Sequence, residues 1–261
     1  MKNRINLESN FLKQISFNMS QKPHNESNYV YGRIPVLNSL ESNKVLEVYL
    51  QKGFSDAKLL NVIKDKKIKV SYVDISKLNE LSSKGNHQGV VALTKPFEYS
   101  DLASIIAVAK KKEHPLILIL DEIEDPHNFG AIIRSADAFS VDGIIIKNRN
   151  QAPVTMTVSK VSTGAIEYVK IAQVSNLVTA INKLKDNGFW IYSADGSAKD
   201  EFQKIKYDGP VALVVGSEGR GISRLVLDNS DFIIKIPMSG HVNSLNVSVA
   251  TGILLSQIRN K

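Results

Sequence analysis

The sequence contains no cysteine among its 261 residues. This absence excludes disulfides, thiolate nucleophiles, cysteine-based zinc sites and iron–sulfur clusters, and it leaves five histidines as the imidazole ligands. We therefore expect a protein of the reducing cytoplasm. We also expect no bound metal.

Long apolar runs are missing as well. The longest, residues 116–120 and 211–215, have the length of buried strands and fall short of the roughly 18 residues needed to cross a bilayer. The first 28 residues are rich in Asn, Ser and Lys and lack the apolar centre of a secretory signal. We expect no membrane role, and a flexible extension over residues 1–28.

The net charge of +7 is concentrated in the first part of the chain. Residues 1–98 hold 15 Lys and Arg against 9 Asp and Glu, whereas residues 99–261 hold 18 against 17. A basic module beside a near-neutral one suits the binding of a polyanion, because Lys and Arg gain affinity from phosphates whatever the base sequence. The lysine run by itself is better explained as the solvated end of a helix. That run consists of Lys64, Lys66, Lys67 and Lys69.

The first part alternates between helical and strand patterns, which predicts a small α/β domain over residues 29–98. Pro96 breaks the alternation, and residues 101–112 have a helical pattern that ends in three lysines. We therefore place a linker helix within residues 99–114. The other helices are expected over residues 35–42, 56–66 and 75–82, and the strands over residues 45–50, 69–73 and 89–93.

Residues 115–261 are predicted to form a second, larger α/β domain. Its strands are short continuous runs of Leu, Ile and Val separated by helical segments, which indicates a parallel sheet covered on both faces. Ligands of such sheets bind beyond the carboxyl ends of the strands, so we expect the chemistry in the loops there. The predicted strands cover residues 116–120, 143–146, 168–171, 189–192, 211–215 and 232–236, and the helices cover residues 131–139, 176–186 and 222–228.

The first of three polar segments follows the strand over residues 116–120. Asn128 is placed to cap the next helix, and Gly130 lets another segment approach closely. Arg134 falls about 240° further round that helix and interrupts its apolar face. A partly buried arginine needs an anionic or carbonyl partner, which either a structural salt bridge or a functional contact supplies.

The second segment follows the strand over residues 211–215 and runs Gly-Ser-Glu-Gly-Arg-Gly from residue 216 to 221. A glycine-rich loop between a strand and a helix suits the close approach of a ligand to backbone amides. Its spacing is neither that of the dinucleotide-binding fingerprint nor that of a phosphate-binding P-loop. Glu218 would repel a phosphate but can accept hydrogen bonds from a ribose, an ammonium group or an arginine.

The third segment follows the strand over residues 232–236. Pro237 ends the strand, and Asn243 or Ser244 can cap the last helix. Polar Ser244, Asn246 and Ser248 lead into a helix that is small and apolar on nearly every side. Such a helix is buried, either against the rest of the chain or against a copy of itself.

Together the three segments resemble the SpoU (TrmH) family of RNA ribose 2′-O-methyltransferases, in the SPOUT superfamily. The resemblance lies in N-x-G-x-x-x-R at residues 128–134, G-S-E-G-x-G at 216–221 and I-P-M-x-G-x-x-x-S-L-N-V-S-x-A at 236–250. It runs from about residue 115 to residue 257. Shorter matches, Y-G-R, P-V-L and H-Q-G-V-V-A within residues 31–92, make the first domain similar to the substrate-binding domain of the RlmB group of 23S rRNA guanosine methyltransferases.

This resemblance implies an α/β knot for the second domain, with S-adenosyl-L-methionine bound in the knot. It also implies a homodimer with the site near the subunit interface, and RNA as the partner. The residue-by-residue match assigns cofactor binding to Gly216, Ile236, Met238, Ser244 and Leu245, and it assigns catalysis to Asn128, Arg134, Glu218 and Asn246.

The implied reaction is methylation of a ribose 2′-hydroxyl, with a guanosine of 23S rRNA as the expected target. We expect Arg134 to stabilise developing oxyanion charge, Asn128 and Glu218 to position it or the ribose, and Asn246 to order the cofactor pocket. Ribose methylation of tRNA and a non-catalytic role in RNA binding or ribosome assembly stay open as alternatives. A nucleotide-dependent oxidoreductase is a third alternative, which rests only on the α/β pattern and the glycine-rich loop.

Overall fold

The computed structural model describes residues 29–260, whose strands form two sheets. The flexible extension expected over residues 1–28 lies outside the described residues. The small sheet has four strands in the order β1-β4-β2-β3; β2 and β3 are parallel and the other pairs are antiparallel. Its strands are β1 (Tyr29–Tyr31), β2 (Val45–Gln51), β3 (Lys69–Val73) and β4 (Val90–Thr94).

Three helices accompany the small sheet: α1 (Arg33–Glu41), α2 (Ala57–Asp65) and α3 (Ile75–Leu81). Each lies within two residues of its predicted start and end. Asp56 caps α2 by accepting a hydrogen bond from the Leu59 backbone N–H. The core of this unit is made by apolar side chains of α1, α2 and the strands, among them Val36, Leu40, Val48, Leu59 and Ile63.

The large sheet has seven strands in the order β7-β6-β5-β10-β8-β11-β9, and all of its paired strands are parallel. This confirms the predicted parallel sheet. The physical reason is visible in β5, where every residue is buried because helices cover both faces. The strands are β5 (Leu116–Asp121), β6 (Gly143–Lys147), β7 (Ile171–Val174), β8 (Trp190–Ala194), β9 (Asp200–Glu201), β10 (Val211–Gly216) and β11 (Phe232–Lys235).

Two groups of helices sandwich the large sheet. Alternate residues of β5 point to opposite faces, so Leu118 packs with one group and Ile119 with the other. On the face of Leu118 lie α5 (Pro126–Ala138), α6 (Met156–Val161) and α9 (Val247–Arg259). On the face of Ile119 lie α4 (Leu102–Ala109), α7 (Leu177–Lys185) and α8 (Arg224–Asp228).

The helix expected as a linker within residues 99–114 is α4. Its Ile105 and Ile106 are buried in the core of the large sheet. A Cβ atom on Gly143 would lie 2.5 Å from the Ile105 side chain, so helix and sheet touch closely here. The helix is therefore packed as a layer of the larger unit.

Two predicted boundaries are wrong. The strand predicted over residues 168–171 begins at Ile171, because residues 165–167 form a 3₁₀ turn and Tyr168 is 70% exposed. The helix predicted over residues 131–139 begins at Pro126, with Asp125 as its cap. Proline is favoured at the first helical position because no helical N–H bond is needed there. Asn128 is therefore inside the helix and is not its cap.

The two units contact each other through polar side chains. Lys44 of the small-sheet unit forms an ion pair with Glu167 at 2.6 Å, and the Glu167 side chain is only 7% exposed. Lys160 lies 4.7 Å from the ring centre of Tyr31. Among residues 29–260, no helix has both the length and the apolar character needed to cross a membrane.

Candidate functional site

One cavity of the large-sheet unit lies beyond the carboxyl ends of β8, β10 and β11, where ligands of parallel sheets bind. Its volume is about 570 Å³, within the range of roughly 300–1,000 Å³ typical of small-molecule sites. We call it the first cavity. All five residues predicted to bind the cofactor line it: Gly216, Ile236, Met238, Ser244 and Leu245.

The loop after β10 folds back on itself. Ser217 and Gly221 exchange two backbone hydrogen bonds, of 3.1 and 2.9 Å. A Cβ atom on Gly216 would lie 2.2 Å from the backbone of Gly221, so no side chain fits at position 216. The buried carboxylate of Asp121 accepts a hydrogen bond of 2.8 Å from the Ser223 backbone N–H and ties the loop to the end of β5. These contacts hold Glu218 at the edge of the cavity.

The sequence suggested Asn243 or Ser244 as the cap of the last helix, α9. The structure shows that Asn246 caps it instead. The Oδ1 atom of Asn246 accepts hydrogen bonds from the backbone N–H groups of Ser248 and Val249, at 3.0 and 3.3 Å. Because Asn246 uses its oxygen for capping, its amide nitrogen remains free to donate elsewhere.

The Asn246 amide joins the three polar segments. Its Nδ2 donates to Asn128 Oδ1 at 2.9 Å and to Glu218 Oε1 at 2.6 Å. The Val247 backbone N–H lies 3.5 Å from the same oxygen of Glu218. Three of the four predicted catalytic residues therefore meet at one point, although 118 positions separate Asn128 from Asn246 in the chain.

A second cavity, of about 290 Å³, lies on the other side of this contact. It shares Ser217, Glu218 and Val247 with the first cavity. The remaining lining residues come from the loop after β5, the start of α5 and the loop after β10: Glu122, Ile123, Glu124, Asp125, Asn128, Gly219 and Arg220.

Arg134 does not join the cluster. It was expected to be partly buried, yet it is exposed, and its side chain forms no hydrogen bond or ion pair with any residue of the described part of the chain. The buried face of α5 contains Phe129, Ile132, Ile133 and Ala136. Arg134 lies about 140° from Phe129 around the helix, because each residue turns it by about 100°.

Several residues of the first cavity were missed by the sequence analysis. Asp195, Gly196 and Glu201 come from the segment after β8, and Lys235 ends β11. Asp195 accepts hydrogen bonds from the Ser197 backbone and hydroxyl. Asp195 and Gly196 directly follow a parallel strand, and this position could have marked them as candidates for the site. The other loops of the site were identified by the same criterion.

Charged side chains surround the second cavity. Lys147 donates a hydrogen bond of 2.6 Å to Glu122 and holds the pKa of that carboxyl below its ordinary value. Glu122 has a φ of 63°, a left-handed conformation that is uncommon for a residue other than glycine. Within residues 29–260, no group of three or more His, Asp or Glu is arranged to hold a metal ion.

The two cavities meet at a single cluster of hydrogen-bonding side chains, and this arrangement suits an enzyme that brings two ligands together. Residues 115–256 match the SpoU rRNA Methylase family, and residues 29–100 match the RNA 2′-O ribose methyltransferase substrate-binding domain. The chain therefore belongs to the SpoU rRNA methylase family and is an RNA methyltransferase.

Individual relatives agree with this assignment. A Staphylococcus aureus (strain COL) protein assigned to the TrmH family of tRNA/rRNA methyltransferases is 43% identical over 241 residues, which are 90% of this chain and 97% of the relative. An AdoMet-bound rRNA methyltransferase from Sinorhizobium meliloti is similar in structure, with 24% identity, a TM-score of 0.77 and coverage of 90% of this chain and 87% of that chain.

The SpoU methyltransferase AviRb from Streptomyces viridochromogenes, in complex with the cofactor AdoMet, has 21% identity and a TM-score of 0.77 over 89% of each chain. These likenesses confirm the expected fold class, an α/β-knot methyltransferase domain preceded by a smaller α/β domain.

Proposed function

We propose that the protein transfers a methyl group from S-adenosyl-L-methionine to a ribose 2′-hydroxyl of RNA, with a guanosine of 23S rRNA as the target. The observation that supports this most directly is the contact of Asn246 with both Asn128 and Glu218. This contact lies where a cofactor-sized cavity meets a second cavity with polar walls. The absence of cysteine suits the reducing cytoplasm as its compartment.

The lining of the first cavity fits S-adenosyl-L-methionine. Asp195, Glu201 and Glu218 suit an ammonium group, a sulfonium and ribose hydroxyls, and Lys235 suits a carboxylate. We assign the five predicted cofactor residues to the adenosine part, which shape and backbone amides can hold. When bound, the cofactor supplies an electrophilic methyl group.

The residues of the cluster then hold the ribose. Glu218 Oε1 accepts hydrogen bonds from the Asn246 amide nitrogen and the Val247 backbone N–H. The other carboxylate oxygen, Oε2, can therefore accept a hydrogen bond from a ribose hydroxyl. Asn128, whose Oδ1 accepts from Asn246, can donate to the ribose through its own amide nitrogen. Holding the 2′-oxygen in line for displacement is the main contribution that such neutral and anionic groups can make.

We also propose that the protein is a homodimer through a groove between α5 and α9. Val249 and Ile253 are 51% and 36% exposed in this groove, so they supply apolar surface there that a second copy could cover. Ala131 and Ser135 line the α5 side of the groove, and Arg134 lies between them in the sequence. Arg134 would then lie at the subunit interface and stabilise oxyanion charge in a site completed by the partner subunit.

The test of the function uses purified protein, tritiated S-adenosyl-L-methionine and 23S rRNA transcripts, followed by nucleoside analysis. We expect 2′-O-methylguanosine. Arg134→Ala should abolish labelling while calorimetry shows unchanged cofactor binding, and Arg224→Ala, at another exposed arginine, should retain activity. Label on a base would contradict the proposal.

Transfer RNA is the second candidate substrate, because the Staphylococcus aureus relative is assigned to a family of tRNA/rRNA methyltransferases. A parallel reaction with unmodified tRNA distinguishes the two. Preferential labelling of tRNA ribose would transfer the assignment to that substrate and leave the chemistry unchanged.

A further inference from the structure

Arg220 occupies the variable position of the G-S-E-G-x-G segment, at the rim of the second cavity. Its Nη2 donates a hydrogen bond to Glu124 Oε1 and lies 3.2 Å from Glu122 Oε2. The side chains of Arg220 and Glu124 are 63% and 59% exposed, whereas that of Glu122 is 18% exposed. The guanidinium therefore bridges a partly buried and an exposed carboxylate across the rim.

The charges around this cavity are unusual for a site that receives RNA. Of the described residues that line it, four are acidic and Arg220 is the one cation. A ribose in an RNA chain brings phosphodiesters with it, and a negative lining repels them. Arg220 is the lining residue that can attract such a group, and its charge is already shared by two carboxylates. The four acidic residues are Glu122, Glu124, Asp125 and Glu218.

Exchange of partners by Arg220 requires little energy. An exposed ion pair such as that with Glu124 contributes about 0–1 kcal/mol, whereas an arginine can bind a phosphate with two parallel charged hydrogen bonds. The Arg220 side chain is largely exposed, and a Cβ atom on neighbouring Gly219 would meet nothing within 4 Å, so open space adjoins the guanidinium's side of the loop.

We propose that Arg220 and Glu124 form a latch on the second cavity that the RNA backbone opens. The guanidinium leaves Glu124 and binds the phosphodiester beside the target nucleotide, which positions the ribose against Glu218 and Asn128. Glu124 thus competes with RNA for the same cation. This inference rests on the proposed function and names a further positioning residue for it.

The test compares Arg220→Ala and Glu124→Gln, because a latch predicts opposite effects for the two partners of one ion pair. Arg220→Ala should weaken RNA binding by about tenfold and reduce the slope of log affinity against log salt by about one, since one phosphate contact is lost. Glu124→Gln should strengthen RNA binding about threefold, because the competing carboxylate is removed. Both should leave the cofactor dissociation constant and the unfolding temperature unchanged.

Arg224→Ala is the matched control, because Arg224 is an exposed arginine of the same region that pairs with Asp228 on α8. It should change neither RNA affinity nor its salt dependence. If the Arg220–Glu124 ion pair only stabilises the loop, both Arg220→Ala and Glu124→Gln should weaken RNA binding or lower the unfolding temperature. Effects of the same sign, or no effect of Arg220→Ala, would overturn the latch. Wild-type protein that labels a base or no RNA would instead contradict the proposed function.

Discussion

At the scale of single residues, Asn246 uses the two ends of its carboxamide for different purposes. The oxygen caps α9, and the nitrogen holds Asn128 and Glu218 together. A helix start and a polar cluster are thereby fixed by one side chain. This links the stability of the last helix to the geometry of the site.

Asn246→Asp separates these two contributions. An aspartate caps a helix as well as an asparagine does, so the capping contribution to the free energy of unfolding should be retained. The expected loss of about 1–3 kcal/mol comes from the buried Asn128 left without its donor. The carboxylate cannot donate to Asn128 and repels Glu218, so kcat/KM should fall by about 100-fold through misplaced groups. Methylation kinetics and chemical denaturation measure the two effects.

The control is Asn176→Asp, because Asn176 caps α7 through the Thr179 N–H and lies outside both cavities. It should change neither activity nor stability appreciably. A wild-type kcat/KM in Asn246→Asp would show that capping alone explains the residue.

A second prediction at this scale concerns the pH dependence of stability. Lys147, together with Asn150, holds the pKa of Glu122 below its ordinary value. Because the pKa of the folded state is lower than that of the unfolded state, the stabilisation is complete above the unfolded pKa of about 4.3 and is lost as the pH falls through the lower value.

Lys147→Met should therefore reduce the loss of stability on acidification. Urea denaturation between pH 7 and pH 3 measures this as a smaller change in the free energy of unfolding than in the wild type. Lys77→Met, which removes the exposed pair with Glu80, should leave the wild-type pH dependence intact. If Lys147→Met loses as much unfolding free energy between pH 7 and pH 3 as the wild type does, the role of the Lys147–Glu122 pair is contradicted.

At the scale of elements, the position of α5 depends on its close contact with α6. A Cβ atom on Gly130 would lie 2.7 Å from Val161 Cβ and 3.0 Å from the Val158 carbonyl oxygen. Real Cβ contacts are longer than this, so the two helices pack at a distance that only glycine allows. Asn128 lies two residues away on α5 and depends on the same packing.

Gly130→Ala should destabilise the protein by about 1–3 kcal/mol, because overpacking outweighs the roughly 1 kcal/mol that alanine adds as a helix former. Activity should also fall as α5 moves Asn128 away from Asn246. Gly240→Ala is the control for stability, since a Cβ atom there meets nothing within 4 Å. Thermal unfolding of both variants measures the effect. A wild-type unfolding temperature for Gly130→Ala would show that α6 can move aside and would contradict the prediction.

At the scale of the whole molecule, the Lys44–Glu167 ion pair connects the small-sheet unit to the large-sheet unit. Lys44 Nζ also lies 5.5 Å from the ring centre of Phe97, in the segment between the two units. Removal of Lys44 leaves a buried carboxylate without its cation, which costs more than loss of an exposed pair.

We expect Lys44→Met to cost about 1–3 kcal/mol of unfolding free energy, and Glu167→Gln added to it to restore part of that loss. A double-mutant cycle measures the coupling. The comparison pair is Lys52–Asp74, with side chains 70% and 72% exposed, whose coupling should be near zero. Equal coupling in the two pairs would contradict the importance of burial.

The sequence by itself determined the class of the fold and named most of the residues that the structure brings together at the candidate site. Continuous Leu, Ile and Val runs predicted the parallel strands of the large sheet, because burial on both faces requires apolar side chains at every position. Polar residues directly after those strands identified the loops of the site, since strand ends of a parallel sheet share one edge. Both inferences use information that is local in the chain.

Only the tertiary structure decided which side chains meet and which are exposed. Asn246 contacts Asn128 across 118 positions of the chain. The exposure of Arg134 depends on which face of α5 packs against the core, and that face contains Phe129, Ile132 and Ile133. The bridge from Arg220 to Glu124 joins residues 96 positions apart. Such contacts follow from the packing of loops and helices, and local sequence patterns do not contain that information.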